Sequence, residues 1–199
     1  SWFGNRLNDG KVSPDGRFWV GSMNESSPRQ PAAALYRIDP DGHVRRMLSG
    51  LYTSNGLAWS PDGRHMYHSD SRGEMLWVFE YEVATGTISG GKVIAKLTDS
   101  DGRPDGGAVD AEGCYWSAGP SAGVINRFSA EGLLLERYVT PIAAPSMICF
   151  GGDDLRTIFV TSLSVERGGR REAGRLISFE APVSGLPGNR FRLREAASA

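Results

Sequence analysis

Ser13-Pro14-Asp15-Gly16-Arg17-Phe18-Trp19-Val20-Gly21 holds a tight turn and the start of a strand in nine residues. Pro presets the first turn angle, Asp bonds its own backbone, and Gly accepts a positive φ. The aromatic and apolar residues that follow suit a strand. The pattern returns as Ser60-Pro61-Asp62-Gly63-Arg64-His65-Met66-Tyr67-His68 and as Asp110-Ala111-Glu112-Gly113-Cys114-Tyr115-Trp116-Ser117. A weaker copy runs from Gly151 to Thr161. Ser13 to Ser60 is 47 residues, Ser60 to Asp110 is 50, and Asp110 to Gly152 is 42. A repeat of roughly 40–50 residues marks a propeller or solenoid.

Each copy is followed by a second strand pattern: Ala34–Asp39, Met75–Tyr81, Val124–Phe128 and Gly174–Phe179. Further turns at Asp39–Gly42, Ala84–Gly86 and Ser129–Gly132 bring each unit to about four short strands. No helical stripe runs without a Gly or Pro interruption. The fold class is therefore all-β, a propeller of four-stranded antiparallel blades. At this period 199 residues hold about four blades. We read residues 1–199 as one propeller domain, the C-terminal two-thirds of a six-bladed ring whose first blade or two are missing. Phe191-Arg192-Leu193 is expected to complete a blade as a late strand, and the tail ending Glu195–Ala199 to be partly disordered.

Composition narrows the function classes. Twenty-six glycines, near twice the usual ~7%, supply the turns. A net charge of −1 gives no footprint for nucleic acid or an anionic membrane. No apolar run approaches the ~18 residues of a membrane span. Two cysteines, Cys114 and Cys149, make no disulfide framework; Cys149 is expected in the core and Cys114 in blade packing. The basic residues are 19 Arg and 3 Lys. His65 and His68, three apart on a strand, face opposite sides and cannot share a metal. Gly168–Glu172 reads as a flexible loop. The tryptophans read as core.

In a propeller the innermost strand of each blade lines the central channel, so equivalent positions converge. Five residues before each turn stand Asn8, Asn55, Asp105 and Ser146, all polar. One carboxylate with carbonyl oxygens suits a hard divalent cation such as Ca²⁺ or Mg²⁺. A second acidic ligand is needed, and Asp9 is a candidate within the chain.

The runs Asn5–Met23, Ser54–Asp62, Tyr67–Ser71, Pro104–Asp110 and Cys149–Gly152 together resemble the motifs of the SMP-30/gluconolactonase (regucalcin-like) family, in family order. The resemblance implies a six-bladed propeller that hydrolyses a sugar lactone with one divalent metal ion, whether Ca, Zn, Mg or Mn. By motif, Asn55 and Asp105 match metal ligands, and Asp105 is also the expected catalytic base. Arg6, Asn8 and Glu25 match substrate-binding positions, Glu25 being loose by one residue. The family's glutamate ligand has no counterpart here. The expected partner is a small sugar lactone, with no nucleic acid and no membrane, for a cytoplasmic monomer or weak dimer. The alternatives are a non-catalytic metal- or ligand-binding propeller and an esterase or organophosphatase-type relative.

Overall fold

A computed structural model of the chain describes residues 4–193. Every regular element among them is a strand. The first sheet comprises β1 (Asn5–Val12), β2 (Phe18–Asn24), β3 (Ala33–Ile38) and β4 (Val44–Leu51), adjacent in that order. The second comprises β5 (Ser54–Trp59), β6 (His65–Asp70), β7 (Met75–Glu82) and β8 (Thr87–Lys96). The third comprises β9 (Gly107–Val109), β10 (Tyr115–Gly119), β11 (Val124–Phe128) and β12 (Leu134–Val139). The fourth pairs β13 (Pro145–Gly151), β14 (Thr157–Ser162) and β17 (Leu176–Glu180). A separate hairpin, β15 (Val165–Arg167) with β16 (Arg170–Glu172), is inserted before β17. All pairings are antiparallel. The arrangement is four propeller blades. Their first strands, β1, β5, β9 and β13, are spatial neighbours in sequence order.

The quoted turns close as read. Gly16 N–H donates to Ser13 O at 2.9 Å, Gly63 to Ser60 O at 2.9 Å, and Gly113 to Asp110 O at 3.0 Å. Gly16 takes φ 84°, the left-handed region that favours glycine. In the fourth copy Leu155 takes that role at φ 57°.

Aromatic side chains from β2, β5 and β7 form the wedge between the first two blades. Trp19, Trp59 and Tyr81 meet edge to face between the first two blades, with centroids 6.1, 5.9 and 5.8 Å apart. Such pairs add to the burial of their apolar area. Leu35, Leu57, Met66 and Phe79 complete that cluster. Tyr67 stacks on Tyr115 at 5.1 Å between blades two and three. Trp116, Ile125, Ile148, Ile158 and Val160 fill the space between blades three and four.

Four local expectations change. Cys149 is exposed, because β13 alternates and turns that side chain away from the third cluster, while Cys114 is half-buried. Gly168–Glu172 is part of the β15–β16 hairpin, whose turn uses Gly168 and Gly169 at positive φ. Residues 191–193 join no sheet; Phe191 packs on Phe18 at 6.3 Å, and Arg192 N–H donates to Gly16 O at 3.2 Å. The fourth blade has three strands among the described residues. The Glu195–Ala199 tail lies outside the described residues, as does Trp2.

Trp19 is fully buried at the first interface. Trp19→Ala is expected to cost about 3–5 kcal/mol. Urea unfolding followed by circular dichroism reads this directly, and a loss below 1 kcal/mol would contradict the wedge.

Candidate functional site

Antiparallel alternation brings one set of connections to a single end of the blades: β2–β3, β4–β5, β6–β7, β8–β9, β10–β11 and β12–β13. At that end a cavity of about 600 Å³ opens. Asn8, Asn55, Asp105 and Ser146 all line it, so the register count does converge these four positions. Asp9 and Arg6 line it too. Glu25 does not; it is half exposed and ion-paired to Arg6 Nε at 2.9 Å.

The floor is built by cross-blade hydrogen bonds. Asn8 Nδ2 donates to Asn55 Oδ1 at 2.7 Å and to Ser54 O at 3.0 Å, tying β1 to β5. Asn55 Nδ2 donates to Ser71 Oγ at 2.7 Å, which orients the amide oxygen. Leu57 N–H donates to Asp9 Oδ2 at 3.2 Å. Tyr115 Oη donates to Gly56 O at 2.9 Å, linking blades two and three. Gly56 has φ 65°, and a Cβ there would lie 2.3 Å from Tyr115 Oη and 2.5 Å from Ser69 Oγ. Gly106 N–H donates to Ser146 O at 2.8 Å, linking blades three and four. Asp105 precedes β9 and is held by its own N–H on Ala118 O at 2.9 Å.

The electrostatics separate the two aspartates. Burial pushes the Asp105 carboxyl up to about 7, and Asp9 adds to the shift; Arg103 and the Gly106 N–H oppose it. Burial also raises Asp9, but Lys11 opposes this most strongly, followed by the backbone N–H groups. Lys11 is itself lowered by burial and held up by Asp9. Its Nζ donates to Gly107 O at 2.7 Å, bridging β1 to β9. Asp9 thus has an internal counter-charge.

No three His, Cys, Asp or Glu side chains converge as a metal cluster among the described residues. The donors present are oxygens: the Asp105 carboxylate and the Asn55 amide oxygen, whose second lone pair is free of Asn8. Carboxylate and carbonyl oxygens suit Mg²⁺, Ca²⁺ or Mn²⁺ better than a thiolate- or imidazole-seeking ion. A carboxyl whose ionisation burial opposes is also one whose carboxylate form a cation would stabilise. The residues therefore fit a divalent ion, with ligands still to be added.

Lys11 and Ser71 escaped the sequence reading. Lys11 stands two residues after Asp9, and that i, i+2 spacing on a strand was the available signal. Ser71 ends the Tyr67–Ser71 motif.

The chain belongs to a family of propellers: the SMP-30/Gluconolactonase/LRE-like region model matches residues 1–164. It is 39% identical over 159 residues to 6-deoxy-6-sulfogluconolactonase of Pseudomonas putida, covering 79% of this chain and 54% of that protein. It is 38% identical to regucalcin of Danio rerio with the same coverage. Its structure is similar to regucalcin from Agrobacterium tumefaciens, described as a calcium-binding protein, with TM-score 0.85 and 27% identity over 96% of this chain and 66% of that one. The chain spans about half the length of the curated relatives it matches.

His68 makes the stability of the fold depend on pH. It is fully buried on β6, with Nε2 2.8 Å from Ser54 Oγ, while His65 is exposed. Burial pushes its imidazole from 6.5 down to about 3. Below its ordinary value the unfolded chain takes a proton that the native chain refuses. Stability is therefore lost from pH 6.5 downward, by about 1.4 kcal/mol per unit, until the native imidazole titrates. Urea midpoints at pH 7, 6 and 5 are expected to fall less steeply in His68→Gln, and equal slopes would refute the assignment.

Proposed function

We propose that the full-length protein hydrolyses a sugar lactone with one divalent metal ion held at this cavity. The observation that carries the reading is the convergence of Asp105 with Asn8, Asn55 and Ser146 on one cavity, where partial burial pushes the Asp105 carboxyl up to about 7. The family and its lactonase members support the reaction class. The described blades would be about four of a six-bladed ring, in keeping with coverage of 66% of the regucalcin structure. A blade outside residues 1–199 would then supply the further acidic ligand.

Asp105 and Asn55 would hold the ion. A bound divalent cation supplies Lewis acidity to the lactone carbonyl. Asp105 accepts a proton from the attacking water, a step typically contributing ~10²–10⁴-fold. The water oxygen bonds to the carbonyl carbon, and the ring C–O bond then breaks. The leaving alkoxide takes up a proton, giving the free hydroxy acid. Arg6, already bonded to Asn8 Oδ1 at 3.3 Å, presents planar donors to substrate oxygens. Asn8 bonds a ring hydroxyl, and Glu25 sets the direction of Arg6 through their ion pair.

Glucono-δ-lactone hydrolysis by the full-length protein tests this. A chelator is expected to abolish turnover, and one of Ca²⁺, Mg²⁺, Mn²⁺ or Zn²⁺ to restore it. Asp105→Asn is expected to lose at least ~10²-fold in kcat/KM. Unchanged turnover in Asp105→Asn would reject the site. Cation binding by calorimetry with no turnover of any lactone would favour a non-catalytic binding propeller, a reading that the calcium-binding relative supports.

A further inference from the structure

The cavity is charged in layers. Its acids, Asp9 and Asp105, lie inward, Asp9 being buried. Its outer wall carries four arginines: Arg6, Arg29, Arg72 and Arg103. They come from different elements at the same end: β1, the β2–β3 loop, the β6–β7 turn and the β8–β9 loop. Two are already neutralised. Arg6 pairs with Glu25, and Arg103 pairs with Asp99.

The other two differ. Neither Arg29 nor Arg72 is ion-paired among the described residues. Among the described residues Arg29 reaches only a backbone oxygen, Asn24 O, at 3.3 Å. Partial burial, then Arg103, then Arg29 hold the Arg72 guanidinium below its ordinary value, with Asp99 the single opposing charge. Two guanidinium groups without a carboxylate partner among the described residues, Arg29 and Arg72, thus share one opening, an arrangement that favours an anion joining them. A second observation lies beside them. Thr53 lines the same cavity, is buried, and its Oγ1 has no partner among the described residues. Ser71 N–H donates to Thr53 O at 3.0 Å, so the Arg72 turn is tied to this threonine.

Guanidinium groups recognise sulfonate, phosphate and carboxylate through paired N–H donors, and a hydroxyl adds one more. We propose that Arg72 and Arg29, with Thr53, bind an anionic substituent on the substrate, remote from the lactone carbonyl, so that the preferred substrates are acidic sugar lactones. The inference rests on the lactonase reading for the reaction but not for the anion site. The neutral sugar edge would face Arg6 and Asn8, and the acidic group would face the outer wall.

The test uses the full-length protein and glucono-δ-lactone carrying a hydroxyl, carboxylate, sulfonate or phosphate at C6. At least one acidic lactone is expected to exceed the neutral one roughly tenfold or more in kcat/KM, the scale of a hydrogen bond to a charged group. Comparison of the three acidic arms identifies the anion. The acidic-to-neutral ratio is expected to fall roughly tenfold in Arg72→Gln and in Arg29→Gln, and to recover in part in Arg72→Lys. Equal turnover of acidic and neutral lactones, or a ratio untouched by both Gln variants, would overturn the proposal. If no lactone is turned over, the reaction reading fails, and calorimetry with glucose 6-phosphate against glucose decides the anion site. Tighter phosphate binding that Arg72→Gln weakens supports it; equal binding of the two sugars overturns it.

Discussion

The hydrogen bond from Tyr115 Oη to Gly56 O is the constraint around which the channel is arranged. It draws β9–β10 of one blade against β5 of the previous one. It is possible only because residue 56 lacks a Cβ, which would sit inside the tyrosine hydroxyl. Asn55, next to that glycine, is thereby turned to meet Asn8 on one side and Ser71 on the other. Asp105 enters from the neighbouring blade, its carbonyl oxygen 3.1 Å from where that Cβ would be. The floor is a product of backbone approach more than of side-chain attraction.

The aromatic wedges and the channel bonds divide the labour. Trp19, Trp59 and Tyr81 set how far blades one and two can close, through area and ring geometry. The channel bonds fix register to within a residue, since a slip of one would turn Asn8 away from Asn55. Burial at that junction also raises the carboxyl of Asp105. Packing thus reaches chemistry through the dielectric of the inner wall.

Much of this was legible along the chain. The turns beginning at Ser13, Ser60 and Asp110 locate the strand pairs because Pro, Asp and Gly each impose a local backbone angle or bond. Counting back from them found Asn8, Asn55 and Asp105, and the weaker copy at Gly151 found Ser146. The fourth blade was less legible, since its turn uses Leu155 at positive φ and its sheet is interrupted by the β15–β16 hairpin. Cys149 was misplaced because a residue among apolar neighbours on a strand still alternates faces. Arg29 and Arg72 carried no sequence signal: they meet only because loops from two blades end at the same mouth.

Lys11 has a consequence for traffic. Its ammonium reaches from β1 to Gly107 O on β9, deeper in the channel than Asp9. A second cavity, lined by Lys11, Val12 and Cys149, lies beyond it towards the other end. Lys11 lines this second cavity and not the one at Asp105, so its ammonium is a charged partition between the two. Under the proposed hydrolysis, a molecule bound at Asp105 would meet that partition on its inner side and the arginines on its outer side.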